Sequence, residues 1–178
     1  MKFSEFVASN GKQARIETGE HVFRQGDDDQ SIYLLGEGLL KAYYLSDGGK
    51  ETIKSFVLPG DTISSLSSAY RKTPCTFNLI ALEPSAVVGI EFDTLYANSQ
   101  TDLELALEVM NLLLEFAMKK ERREREFLTE SAEDRYRLLI EQNPELVDRV
   151  KQKDVARYLG ITPVALSRIR ARCGHGGR

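Results

Sequence analysis

Histidine and cysteine are both scarce in this sequence, two of each in 178 residues, and tryptophan is missing altogether. His21 and His175 stand near opposite ends of the chain, so the clustered imidazoles and carboxylate that hold a catalytic metal in small β-barrels cannot be assembled. Cys75 and Cys173 show neither metal-binding nor redox spacing, which argues against a disulfide framework and leaves two reduced thiols. No apolar run approaches the roughly 20 residues of a membrane-spanning helix, and the first ten residues, MKFSEFVASN, lack the basic start and long apolar stretch of a signal peptide. The expectation is a cytoplasmic, non-enzymatic protein with no metal, no cofactor and no membrane contact. Its 42% hydrophobic and 29% charged residues suit one sizeable core with a small second domain.

Charge is unevenly placed. Residues 1–100 carry 9 basic and 13 acidic side chains, residues 101–150 carry 8 and 13, and residues 151–178 carry 7 and 1, within a net charge of -3. A basic end on an acidic body is the distribution expected when that end alone meets a polyanion.

From Arg15 to Phe92 short β-rich runs alternate with turn signals: HVFRQ, SIYLL, LLKAYYL, ETIKSFVL, TFNLIAL and AVVGIEF. Strands at that spacing predict an all-β sandwich or barrel. Asp47-Gly48-Gly49 and Pro59-Gly60 supply tight turns. Between two of the runs lies DTISSLSSAYRKTPCT, residues 61–76, a hydroxyl-rich stretch able to form one helical turn and to line a pocket. No histidine and no nucleophile-elbow glycine pattern accompanies Ser64 or Ser65, so a hydrolase built on them lacks its base. Cys75, equally unaccompanied, reads as a small core residue, and His21 as a strand-edge residue.

Near Asn98 the periodicity becomes helical. Leu103, Leu107, Met110, Leu114 and Ala117 share one face, while Leu105, Val109, Leu112 and Phe116 share another. A helix with two apolar faces has two surfaces to cover, here the β domain and the same helix of a second copy. Ser131, followed three residues later by Asp134, predicts a fresh helix start after a hinge at residues 129–131. The most specific signal is QKDVARYLGITPVALSRIRA, residues 152–171. Val155, Leu159, Ile161, Leu166 and Ile169 form the shared apolar set of two short helices, Ala156 is small where they cross, and Gly160 supplies the left-handed turn. Thr162 is the cap and Pro163 the first residue of the second helix. A helix-turn-helix results, and it presents Pro163, Val164, Ser167, Arg168 and Ala171 outward. Arg168 suits a bidentate contact with guanine, while Val164 and Ala165 suit a thymine methyl, beside Thr162 and Ser167. Lys151, Lys153, Arg157, Arg170 and Arg172 suit phosphates.

A β domain, a long helix and a carboxy-terminal helix-turn-helix in this order resemble the cyclic-AMP receptor protein and FNR (Crp/Fnr) family of bacterial transcription regulators. The likeness is carried by Gly26 in FRQGDD, Gly38 in LLGEGLLKAYY, Pro59-Gly60-Asp61, and DVARYLGITPVALSRIR. It implies an α+β chain in three parts: a double-stranded, jelly-roll β-roll of the cyclic-nucleotide-binding type over residues 1–98, a dimerisation helix over 99–129, and a DNA-binding domain over 130–178, whose usual wing is expected to be short or absent because only Cys173-Gly-His-Gly-Gly-Arg178 follows the recognition helix. The partners it implies are double-stranded DNA, a second copy of the chain, a small-molecule effector and RNA polymerase. In nucleotide-binding members the loop after PGD carries a Gly-Glu pair and, further on, an Arg followed by Ser or Thr. Those places are Ser64-Ser65 and Cys75-Thr76 here, so the effector pocket has the family's position without its phosphate-binding arginine. The iron-sulfur branch needs four cysteines. Val164 stands where many members place an acidic base-contacting residue. The expected function is a homodimeric DNA-binding regulator whose effector is not cyclic AMP; the alternative is a ligand-sensing β-roll acting through protein contacts, with a degraded DNA-binding domain.

Overall fold

The computed structural model describes residues 1–174 and divides into two compact units, one from Met1 to Glu115 and one from Phe116 onward.

In the first unit α1 (Phe3–Asn10) precedes eight strands: β1 (Lys12–Ile16), β2 (His21–Phe23), β3 (Ser31–Glu37), β4 (Leu40–Leu45), β5 (Glu51–Val57), β6 (Thr62–Ser64), β7 (Asn78–Ala81) and β8 (Ser85–Glu91). The helix α2 (Leu66–Arg71) lies between β6 and β7, and α3 (Phe92–Ser99) leads into α4 (Leu103–Thr129). The strands form two antiparallel four-stranded sheets, ordered β1-β8-β3-β6 and β2-β7-β4-β5. This is the expected β-roll. Sequence alternation explains the core: Leu40 and Ala42 of β4, Leu79 and Ala81 of β7, Leu35 of β3 and Val87 of β8 turn inward and pack with Phe23, Cys75 and Phe77. The β4–β5 hairpin closes at the predicted Asp47-Gly48-Gly49, where Gly49 takes φ 76° and its N–H donates to the Ser46 carbonyl at 2.8 Å.

Four elements of this unit escaped the sequence reading: α1, α3, β6, and β1, which lies before the first run, HVFRQ. AVVGIEF was read as strand through Phe92, yet the strand stops at Glu91 and Phe92 opens α3. The helices α1 and α3 each bury a single large residue, Phe6 and Leu95, too few for a helical period to stand out. The three-residue β6 was hidden inside the hydroxyl-rich run. Phe6 and Leu95 join Ile32, Ile90 and Leu105 in a second apolar cluster, against which Val109 packs. One face of α4 therefore covers the β-roll, as its two-faced pattern required.

The second unit holds the end of α4 followed by α5 (Ala132–Gln142), α6 (Leu146–Arg149), α7 (Gln152–Leu159) and α8 (Pro163–Arg172). The Ser131 hydroxyl accepts from the Asp134 N–H at 3.2 Å, so α5 begins at the predicted cap. The short α6 was not foreseen. Tyr136, Leu139, Leu146, Val150, Val155, Ala156, Leu159, Leu166 and Ile169 are buried and form this unit's core; of the apolar set that the helix-turn-helix pattern assigns, four are among them and Ile161 is only partly buried. The expectation of a short or absent wing bears on residues 175–178, which lie outside the described residues.

Candidate nucleic-acid interface and effector loop

Helix α7 ends where the sequence requires. Gly160 adopts φ 70°, its N–H and that of Ile161 return to carbonyls of the last turn, and the Ile161 bond to Ala156 is 3.0 Å. Two residues later the Thr162 hydroxyl accepts the Ala165 N–H at 3.2 Å and Pro163 opens α8. Leu166 and Ile169 anchor α8 in the core, which leaves Thr162, Pro163, Val164, Ser167, Arg168 and Ala171 exposed together, with Ala165 partly buried beside them. The residues predicted to read bases are thus exposed together along α8, and a helix is an element that a major groove admits.

The basic side chains around these residues are not equivalent. Arg168 is exposed, as are Lys151 at the start of α7 and Lys153 in its first turn. The Arg157 guanidinium lies 3.5 Å from Asp154, a carboxylate that is itself buried. Arg172 is held by Glu133, with Nη2 2.7 Å and Nε 2.8 Å from the same carboxylate oxygen. Arg170 is partly buried. Of the five residues assigned to phosphates, Arg157 and Arg172 already carry an acidic partner, which a phosphate must displace or share.

The candidate effector residues lie elsewhere, where the β6–β7 connection meets the turn after β2. Ser64, Ser65 and Cys75 are buried, together with Ser68. Their polar atoms are engaged with the protein: Ser64 donates to the Ser31 carbonyl at 3.0 Å, Ser65 and Ser68 hydroxyls are 2.7 Å apart, and Ser68 donates to the Pro74 carbonyl at 2.9 Å. The Cys75 thiol donates to the Asp29 carbonyl at 3.3 Å, and burial pushes its pKa upward. Thr76 alone of the four is exposed. Around them stand the rings of Phe23, Tyr33 and Phe77, with Phe23 and Phe77 edge to face at 5.1 Å and the Tyr33 hydroxyl donating to Asp29 at 2.6 Å. Lys72, a cation near the loop, adopts φ 56° and is ion-paired with Asp93 at 2.5 Å. Away from this loop, His21 Nε2 lies 3.0 Å from the Tyr43 hydroxyl, and burial lowers its pKa.

Outside both regions, Leu103, Leu107, Met110 and Leu114 of α4 are 75%, 48%, 50% and 51% exposed, and Ala117 is exposed as well. These are the five residues assigned to a dimer seam, and their spacing of four, three, four and three is that of a coiled coil. The sequence reading missed Ser68, whose hydroxyl joins the serine chain to the Pro74 carbonyl. It also singled out neither Arg123 nor Arg135.

Residues 13–102 match the family model described as cyclic nucleotide-binding domain. The chain belongs to that family and, within it, to the Crp/Fnr regulators. Among curated relatives, electron transport regulator A of Shewanella oneidensis is 27% identical over 176 residues, covering 91% of this chain and 68% of that protein. The anaerobic regulatory protein of Pasteurella multocida is 30% identical over 169 residues, 88% of this chain and 61% of its own length. The chain thus spans about two thirds of the relatives it matches along most of its sequence. FixK2 from Bradyrhizobium japonicum superposes with a TM-score of 0.79 at 16% identity, over 92% of this chain and 84% of that one. The c-di-GMP-responsive global regulator CLP of Xanthomonas campestris gives 0.74 at 17% identity, over 96% and 89%. At such identities the two structures establish the fold. The relatives are regulatory proteins rather than enzymes, and no helix among the described residues is long and apolar enough to cross a membrane.

Proposed function

We propose that the chain is a cytoplasmic, homodimeric transcription regulator that binds double-stranded DNA through α8 and takes no cyclic nucleotide as effector. Its three parts are the β-roll of residues 1–98, the dimer helix of 99–129 and the DNA-binding domain of 130–178. The observation that carries the reading is the α7–α8 pair: two capped helices, a left-handed glycine between them, and an exposed strip that contains Arg168 within the basic end of the chain. Arg168 and its neighbours read base edges, while Lys151, Lys153 and Arg170 meet phosphates. The heptad stripe of α4 supports a two-fold dimer, which would present two such strips to two half-sites of a palindrome. RNA polymerase is then the partner that a bound regulator recruits or blocks.

The β-roll supplies support for the effector half of the reading. A phosphodiester anion needs an opposite charge or several convergent donors, and Ser64, Ser65, Ser68 and Cys75 already donate to neighbouring oxygens. Selection of bound duplexes from a random DNA pool tests the proposal. A palindromic consensus, lost with Arg168→Ala, is the expected result. No enrichment, with no affinity for any duplex at low salt, would instead favour a module that works through protein contacts.

A further inference from the structure

Two arginines and two aromatic rings meet at the foot of the helix-turn-helix, and the DNA-binding face does not use them. The Arg123 guanidinium of α4 lies 3.8 Å from the centre of the Tyr158 ring and 4.7 Å from that of Phe127. Arg135, in the first turn of α5, lies 4.6 Å from the same Phe127 ring. Both also donate to the last carbonyls of α7: Arg123 to Tyr158 at 2.9 Å and Arg135 to Leu159 at 3.1 Å. Arg135 further donates to the Glu130 carbonyl at 2.7 Å, at the α4–α5 joint. Cations at a helix C-terminus satisfy its orphan carbonyls and oppose its dipole, and a guanidinium laid near an aromatic face adds a cation–π attraction that grows as water is excluded. Arg123 is partly buried, and burial works against its charge, so the rings and carbonyls must supply what water no longer does.

The grip falls on the residues that aim α8. Tyr158 and Leu159 are the last residues of α7, Gly160 follows, and Thr162 caps α8. Phe127 approaches Gly160 so closely that a Cβ there would stand 3.1 Å from its ring. We propose that Arg123, with Phe127 and Arg135, is a positioning residue for DNA recognition: it locks the α7–α8 turn to the end of α4 and so sets the separation of the two recognition helices in the dimer. The inference rests on the DNA-binding reading. Arginine is needed rather than charge alone, because a lysine ammonium cannot lie flat on a ring while donating to a carbonyl.

Two measurements on the full chain test it. Affinity for a palindrome should fall about tenfold when one base pair is inserted between half-sites, since helical repeat ties spacing to orientation. In Arg123→Ala and Arg123→Lys that penalty should shrink severalfold, whereas Arg168→Ala should lower affinity and keep the penalty. Separately, and without DNA, spin labels attached through ketone side chains introduced at positions 120 and 167, diluted with unlabelled chain, should give a narrow distance distribution that broadens in both Arg123 variants. An unchanged spacing penalty with an unbroadened distribution would overturn the positioning role. Should the unaltered chain bind no duplex, the DNA-binding reading and the spacing role fail together. The label distances then still decide whether Arg123 locks the turn.

Discussion

Arg168 and Arg157 carry the same charge one helix apart, and their surroundings separate their roles. Arg168 stands exposed among Val164, Ser167 and Ala171, whereas Arg157 lies 3.5 Å from buried Asp154. On a selected operator Arg168→Ala should cost about 1 to 3 kcal/mol and relax preference at one base pair per half-site, because a bidentate contact is lost. Arg157→Ala, which removes a side chain already paired with Asp154, should change affinity less and by the same amount for all duplexes, and equal, sequence-blind losses from both would remove Arg168 from its role. Spacing alone points to these positions as candidates, because a helix-turn-helix has few ways to be built. The interior of the β-roll was less legible. Ser64, Ser65, Cys75 and Thr76 were found by their place after Pro59-Gly60-Asp61, but which hydroxyl bonds to which carbonyl depends on contacts such as Ser68 to Pro74 that no pattern reveals. Those bonds sharpen one expectation. Calorimetry with cyclic AMP and cyclic GMP should show no binding tighter than about 100 μM, roughly 5.5 kcal/mol, and micromolar affinity would sink it. Installing Cys75→Arg to restore the missing cation should unfold the roll rather than create a site, since the thiol it replaces is only 3% exposed.

Among the elements, α4 was legible and its neighbours were not, for a physical reason. Twenty-seven residues give a helical period room to show two faces, and Leu105 and Val109 pack inward as that period requires; α1, α3 and α6 are held by one buried anchor apiece and leave no period to read. The outward face of α4 carries the consequence. Met110→Asp or Leu114→Asp should place a carboxylate in the proposed seam and weaken association by several kcal/mol; sedimentation of intact dimers at micromolar concentration would refute the seam. The turn after α7 allows a second test. Gly160 has φ 70° and abuts Phe127, so Gly160→Ala meets both a disfavoured backbone region and a crowded ring. The backbone term alone is about 1 to 2 kcal/mol, and thermal unfolding should show the second unit losing at least that much. A melting curve identical to that of the unaltered chain would mean that the turn tolerates a side chain.

At the scale of the whole molecule, charge and assembly act on the same observable. The chain is acidic overall, with a net charge of -3, so only the ends that carry α7 and α8 can approach DNA closely, and the remainder is repelled by it. Binding should therefore depend steeply on salt, because each phosphate neutralised by lysine or arginine releases condensed counterions and contributes a slope of about -0.9 in log affinity against log salt. Three phosphate contacts per copy, from Lys151, Lys153 and Arg170, would give a dimer a slope of roughly -5. The acidic partners of Arg157 and Arg172 argue against counting those two, since exchanging one anion for another releases fewer ions. A dimer-breaking variant then becomes informative beyond association. If the two copies bind as one unit, Met110→Asp should halve the slope to about -2.5 as well as lower affinity, because only one copy's phosphate contacts remain on each bound molecule. A variant that loses affinity while keeping the full slope would show that one copy makes all the contacts, and the two-fold arrangement of recognition helices would have to be abandoned.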